Sequence, residues 1–137
     1  METQKVIDLS ELKPIESEGG VDLEQYDKKE VLIDKAEVIQ VNSEYTTCKK
    51  QWVLKVSSEV LETLGEGDDL IEFRASELFN LMQDEEGKLL GYPNSDKSNL
   101  ARFMSDIKAT NPNEIKHKKA LVKAYQKQDK TYLKFRY

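Results

Sequence analysis

From Val31 to Val41 apolar and polar side chains alternate, β-branched residues are frequent, and no glycine or proline intervenes, so the segment predicts a long first β-strand. A polar loop, Asn42 to Lys50, follows. In Gln51 to Val56 the side chains of Trp52, Leu54 and Val56 fall on one side and Val53 and Lys55 on the other, the period of a half-buried second strand. Ser57 or Ser58 is then suited to cap a short helical turn with Val60, Leu61 and Leu64 on one face and Gly65 at its end. Leu70 to Arg74 alternates again and predicts the third strand. Ser76 to Gln83 has Leu78, Leu81 and Met82 in helical register and predicts a second short turn, broken by Asp84 to Gly87.

The clearest helix comes next, from about Ser98 to Lys108. Leu100, Phe103, Met104 and Ile107 occupy positions i, i+3, i+4 and i+7, Ser95 or Asp96 offers an N-cap, and Asn111-Pro112 is the expected stop. Lys119 to Lys127 and Thr131 to Tyr137 then alternate strictly around a polar Gln128-Asp129-Lys130 connection, which predicts a hairpin. The expected fold class is mainly β: five strands in an oligonucleotide-binding-like (OB-like) barrel, with one principal helix between strands three and four. The rival arrangement is an α+β sheet with one face covered by that helix. Residues 1–30 are acidic, carry Pro14 and Gly19-Gly20, and show only scattered apolar residues, so they predict a mobile tail ahead of a domain spanning 31–137. The alternative buries Val6, Ile7, Leu9 and Leu12 against that domain.

Composition limits the functions open to such a chain. Its 137 residues suit one core, and a hydrophobic fraction of 38% beside a charged fraction of 34% implies a compact interior under a solvated surface. No run is long and apolar enough to span a bilayer and no secretion signal opens the chain, so no membrane association is expected and the cytoplasm is the expected location. Cys48 has no disulfide or zinc-ligand partner in the sequence, and His117 lies in a basic stretch with no triad context. Asp68-Asp69 and Asp84-Glu85-Glu86 are carboxylate clusters of the kind found in turns. Neither an enzyme active site, a metal nor a cofactor is expected. Charge is unevenly shared: residues 1–96 carry 10 Lys and Arg against 23 Asp and Glu, whereas residues 97–137 carry 11 against 3. That segregation points to an anionic partner, or to an acidic tail shielding a basic face.

The last hairpin gives the asymmetry a chemical form. The pleat sorts Val122, Ala124, Leu133, Phe135 and Tyr137 to one face, and Lys123, Tyr125, Lys127, Tyr132, Lys134 and Arg136 to the other. Cations for phosphates and flat rings for bases are what single-strand binding requires. Lys49 and Lys50 in the first loop, with Lys127 and Lys130 in the last, are expected at the mouth of a groove where the two loops meet. Trp52 is either a further stacking platform or, sharing the side of Leu54 and Val56, part of the core. On the helix Ser98 to Met104 and the strands Ala120 to Tyr125 and Thr131 to Tyr137, the chain resembles the OB-fold single-stranded nucleic-acid-binding proteins, including small divergent phage and archaeal forms. The resemblance covers 31–137 and implies a non-enzymatic protein that coats single strands, most naturally DNA. It departs from that family in carrying its acidic segment first and its basic segment last. The competing function is a protein-interaction barrel that ignores nucleic acid and engages a protein partner through the acidic tail or an apolar patch.

Overall fold

The computed structural model describes residues 22–93 and 95–137. Five strands form one antiparallel sheet: β1 (Glu30–Asn42), β2 (Lys50–Ser58), β5 (Ser76–Asn80), β8 (Lys119–Lys127) and β9 (Lys130–Phe135), in the spatial order β5-β2-β1-β8-β9. Two small hairpins lie outside it, β3 (Glu62–Leu64) with β4 (Ile71–Phe73), and β6 (Met82–Gln83) with β7 (Leu89–Gly91). The helix α1 (Asn99–Asp106) stands between the third and fourth strands of the main sheet.

The long first strand serves two neighbours. Glu30, Val31 and Leu32 pair with β8, and Ile33 to Asn42 pair with β2, with a register shift at Asp34 where the partnership changes. A bulge at such a point bends the strand and increases its twist, which lets one strand join two parts of a curved sheet. The bulged Asp34 receives a hydrogen bond from Arg74 at 3.1 Å, and Arg74 also donates to the Ser58 carbonyl at 3.0 Å. Curvature brings the two edge strands, β5 and β9, towards one another. They are joined by a side chain and not by a backbone ladder: Glu77 on β5 accepts from the Phe135 amide at 3.3 Å and from the Tyr137 hydroxyl. The expected barrel is therefore an open five-stranded sheet among the described residues, not a closed one.

The core is built around α1. Leu100, Phe103, Met104 and Ile107 are all buried, as their spacing requires, against Ile33, Val56, Phe79, Val122, Leu133 and Phe135. Phe103 is at the centre, with ring centroids 5.1 Å from Phe79, 5.2 Å from Phe135 and 5.7 Å from Tyr137. Ser98 is the N-cap, accepting from the Ala101 amide at 3.1 Å, in place of Ser95 or Asp96. Asn111-Pro112 does not end the helix. Lys108 turns left-handed at φ 61°, and the Ala109 amide closes back on the Met104 carbonyl at 2.8 Å, a C-terminal motif formed without glycine.

Both short helical turns expected between the second strand and α1 are strands instead. Ser58 does not cap a helix, because its hydroxyl accepts from the Ala75 amide at 2.9 Å and ties β2 to the start of β5. The expected third strand, Leu70 to Arg74, lies within the side hairpin, and β5 takes its place in the sheet. In β5 and its extension Phe79 and Leu81 are buried while Leu78 and Met82 are exposed, a period of two that the spacing of leucines and methionine disguised. Gly65 belongs to the β3–β4 loop. At φ 89°, a Cβ there would stand 2.5 Å from the Asp69 carbonyl oxygen. Trp52 packs partly buried against the core, its indole nitrogen donating to the Gly87 carbonyl at 2.8 Å.

Of the segment expected as a tail, residues 1–30, the structure describes only 22–30. Residues 22–30 are docked: Leu23 is buried, the Lys28 amide donates to Val122 and the Val122 amide to Lys29, and the Asp27 carboxylate accepts from the Ala124 amide at 2.9 Å. Tyr26 donates to the Leu61 carbonyl at 2.9 Å and to Glu62. Residues 1–21 of the acidic tail expected over residues 1–30 lie outside the described residues.

Candidate nucleic-acid interface

The β8–β9 hairpin closes through a two-residue turn, Gln128-Asp129, at φ 53° and 65°. Two successive left-handed residues are the signature of a type I′ turn, whose twist matches that of the flanking strands. Lys130 thereby belongs to β9 and not to the loop. The turn fixes a register in which Lys123 faces Lys134, Tyr125 faces Tyr132, and Lys127 faces Lys130. These residues share one face with Arg136, while Val122, Leu133 and Phe135 are buried on the other.

The aromatic pair is organised rather than merely exposed. The Tyr125 and Tyr132 rings stack with centroids 5.6 Å apart and are 37% and 42% exposed, and the Lys134 ammonium lies 5.3 Å from the Tyr125 ring centre. Two of the three cross-strand pairs set like charges directly opposite one another, which destabilises a hairpin by some tenths of a kcal/mol per pair. Among the described residues the salt bridges are those of Arg74 with Asp34 and Glu72, so none of the hairpin cations is neutralised by a carboxylate there.

A groove of about 620 Å³ adjoins this face, lined by Lys123, Lys134 and Arg136 from the hairpin, Arg102 and Asn99 from α1, and Asp27 and Lys28 from the segment before β1. Arg102 lies 5.7 Å from the ring centre of Tyr137, whose hydroxyl bonds Glu77. Burial first, and the Glu77 carboxylate second, push the Tyr137 phenol well above its ordinary range, so it remains a neutral donor. Lys28 and Arg102 were not among the expected site residues. Arg102 could have been sought on the polar side of the helix, next to Phe103; nothing in the sequence pattern marks Lys28.

Lys49 and Lys50 are exposed at the β1–β2 connection, with Lys49 at φ 63° and Lys50 paired to Asn42. That connection leaves the Asn42 end of β1. Because β8 runs antiparallel from Leu32 past Glu30, the β8–β9 turn leaves the opposite end. The two lysine pairs expected at one groove mouth thus sit at opposite ends of β1. Trp52 is held by Gly87 and the core and does not join the tyrosine pair.

Asp84 spends its carboxylate on the Glu86 and Lys88 amides within its turn, and no group of three or more His, Cys, Asp or Glu is placed to hold a metal ion among the described residues. Among the described residues no helix is long and apolar enough to cross a membrane. No protein-family model matches the chain, and no significant similarity to a curated protein or a solved structure was found.

Proposed function

We propose that this domain is an open barrel of the OB type that binds single-stranded nucleic acid, without catalysis, through the outer face of the β8–β9 hairpin. One observation carries the reading. Three consecutive cross-strand pairs present lysine with lysine, tyrosine with tyrosine and lysine with lysine on one exposed face, although the like charges cost the hairpin stability. An anion threaded between the lysines removes that repulsion, and a base laid on a tyrosine face stacks for roughly 1–3 kcal/mol. The strand order, with the helix between the third and fourth strands of the main sheet, supports the OB assignment.

Fluorescence anisotropy with labelled single-stranded and duplex oligonucleotides tests the reading. With four phosphates engaged, log K falls against log salt with a slope of about −2.8, from roughly −0.7 per contact. Replacing Tyr125 and Tyr132 by Ala weakens single-strand binding by about 5- to 150-fold per ring. Absence of binding, or binding indifferent to salt, overturns it.

A protein-interaction function is the second reading, and a different surface favours it. Val38, Leu54, Leu81, Leu89, Tyr92 and Pro112 contribute to a shallow apolar groove of about 350 Å³, with Val38 and Tyr92 half exposed. Under this reading oligonucleotides do not bind, and Val38→Asp abolishes capture of a protein partner while leaving the hairpin untouched.

A further inference from the structure

The groove beside the hairpin gathers cations from three parts of the chain that are distant in sequence. Lys28 precedes β1, Arg102 stands on α1, and Lys123, Lys134 and Arg136 come from the hairpin. Each of the first two is held in place by something other than a charge partner. Lys28 adopts a left-handed backbone at φ 66°, fixed by the hydrogen bond that its backbone N–H donates to the Val122 carbonyl at 2.7 Å. Left-handed conformations disfavour a lysine relative to glycine or asparagine, and such positions concentrate at functional sites. Arg102 rests on the Tyr137 ring, which leaves its guanidinium donors available to a planar or tetrahedral oxyanion. The one carboxylate in the groove, Asp27, already accepts the Ala124 amide.

Continuity links this groove to the tyrosine pair. Lys134 lines the groove and also carries its ammonium over the Tyr125 ring, so a phosphate bound at Lys134 lies next to a base stacked on that ring. Resting on the proposed function, we infer that a bound strand does not stay on the hairpin: its sugar–phosphate backbone leaves the tyrosine pair at Lys134 and enters the groove, where Lys28 and Arg102 bind the next phosphates. The path ends at α1. On the other flank of Arg102 a neighbouring hollow is lined by Asp96 and Asp106, which repel further phosphate. From Lys130 to Arg136 the cationic face spans about 20 Å at roughly 3.3 Å per residue, so the site is short, near the lower end of the roughly 4–16 nucleotides that one such domain occupies.

The test uses the full chain, a labelled single-stranded oligonucleotide series of increasing length, and two groups of variants. Lys28→Asn keeps a residue that tolerates the left-handed turn and removes the charge, and Arg102→Gln keeps a good helix former. Each lowers the salt slope by about 0.7, the pair lowers it by about 1.4, and the double variant stops gaining affinity at a shorter oligonucleotide than the parent. Arg102→Lys restores most of the slope lost in Arg102→Gln, which a purely structural role under Tyr137 would not. The Tyr125→Ala, Tyr132→Ala variant reports on the hairpin alone. If that variant loses binding while Lys28→Asn, Arg102→Gln retains the parental slope and length dependence, the hairpin reading stands and the groove path is overturned. If Arg102→Lys behaves as Arg102→Gln does, the arginine acts through packing and the path is likewise overturned. If the parent protein itself binds no strand, the hairpin reading falls first and the path with it.

Discussion

Reversing one charge on the hairpin, Lys134→Glu, separates what the lysines do for the fold from what they do for a ligand. In the folded chain Lys134 is directly opposite Lys123, and its ammonium lies 5.3 Å from the Tyr125 ring centre. Converting a like-charge cross-strand pair to an opposite one gains about 1 kcal/mol at this half-buried position. Losing the cation over the tyrosine gives back about 0.5 kcal/mol. The net is a stabilisation of about 0.5 kcal/mol, a rise of roughly 2 °C in Tm for a domain of this size. Binding moves the other way. Removing an attraction and adding a repulsion counts as roughly two phosphate contacts, so the salt slope falls from about −2.8 to about −1.4, with Lys134→Gln intermediate at about −2.1. Urea or thermal melts beside anisotropy titrations at several salt concentrations read both quantities on the same preparations. A variant that melts lower than the parent shows that the facing lysines were not a burden, and an unchanged slope shows that the hairpin does not meet phosphate; either result refutes the reasoning.

Further expectations follow from the same contacts. Phe103→Ala empties the centre of a cluster of aromatic rings and costs on the order of 3–5 kcal/mol in urea unfolding, against a near-zero cost if the helix stripe were superficial. Asp27→Ala, which strands the Ala124 amide, costs about 1–2 kcal/mol, while Asp27→Asn keeps an acceptor, removes the carboxylate from the cationic groove, and tightens strand binding a few-fold; equal affinity for the two proteins counts against the groove. Burial, and then the Glu62 carboxylate, raise the Tyr26 phenol from 10.0 to about 12, so its neutral form is favoured by folding. That contribution is complete below pH 10 and is lost as pH rises towards 12, so alkaline melting curves of Tyr26→Phe fall less steeply across that window than those of the parent. Tyr137 titrates in the same direction and contributes to the remaining slope.

Which parts of this structure were legible in the sequence follows from the length of each periodic segment. The first, second and last two strands of the main sheet run for six to thirteen residues, and the eight-residue helix carries its stripe over two turns, so the pattern repeats often enough to fix both type and face. In the β3–β4 hairpin three residues pair with three: the alternation of Leu70 to Arg74 marked β4 as a strand, but β3 is too short to register, so the pairing that takes β4 out of the main sheet stayed hidden. In β5 the pattern misleads. Leu78 and Met82 are apolar but point to solvent, half exposed, because the outer face there is not covered, and reading them as buried turns a strand into a helix. That the two edges of the sheet meet only through a side chain was not legible, because it depends on Glu77 bridging to Phe135 and Tyr137 across about sixty residues of chain.

The outward set on the hairpin could be read in advance because the pleat alone assigns it, and no tertiary contact is needed to place Lys123 and Lys134 on the side of Tyr125 and Tyr132. What the pleat cannot assign is which other elements come to rest beside that face, and this hid Lys28 and Arg102. Their arrival also bears on the apparent conflict between a net charge of −5 and the proposed polyanionic ligand. Exposed charges separated by more than about 8 Å are largely screened at physiological ionic strength, so a phosphate chain responds to its immediate neighbours and not to the molecular total. The groove itself is lined by five cations and one carboxylate already bonded to an amide, with Asp96 and Asp106 on the far flank of Arg102. The acidic residues Glu62, Glu66, Asp68, Asp69 and Glu72 belong instead to the β3–β4 hairpin and its loop, which pairs with no strand of the main sheet. Among the described residues, segregation between these two hairpins is therefore a feature that makes an acidic protein compatible with the proposed phosphate-binding face.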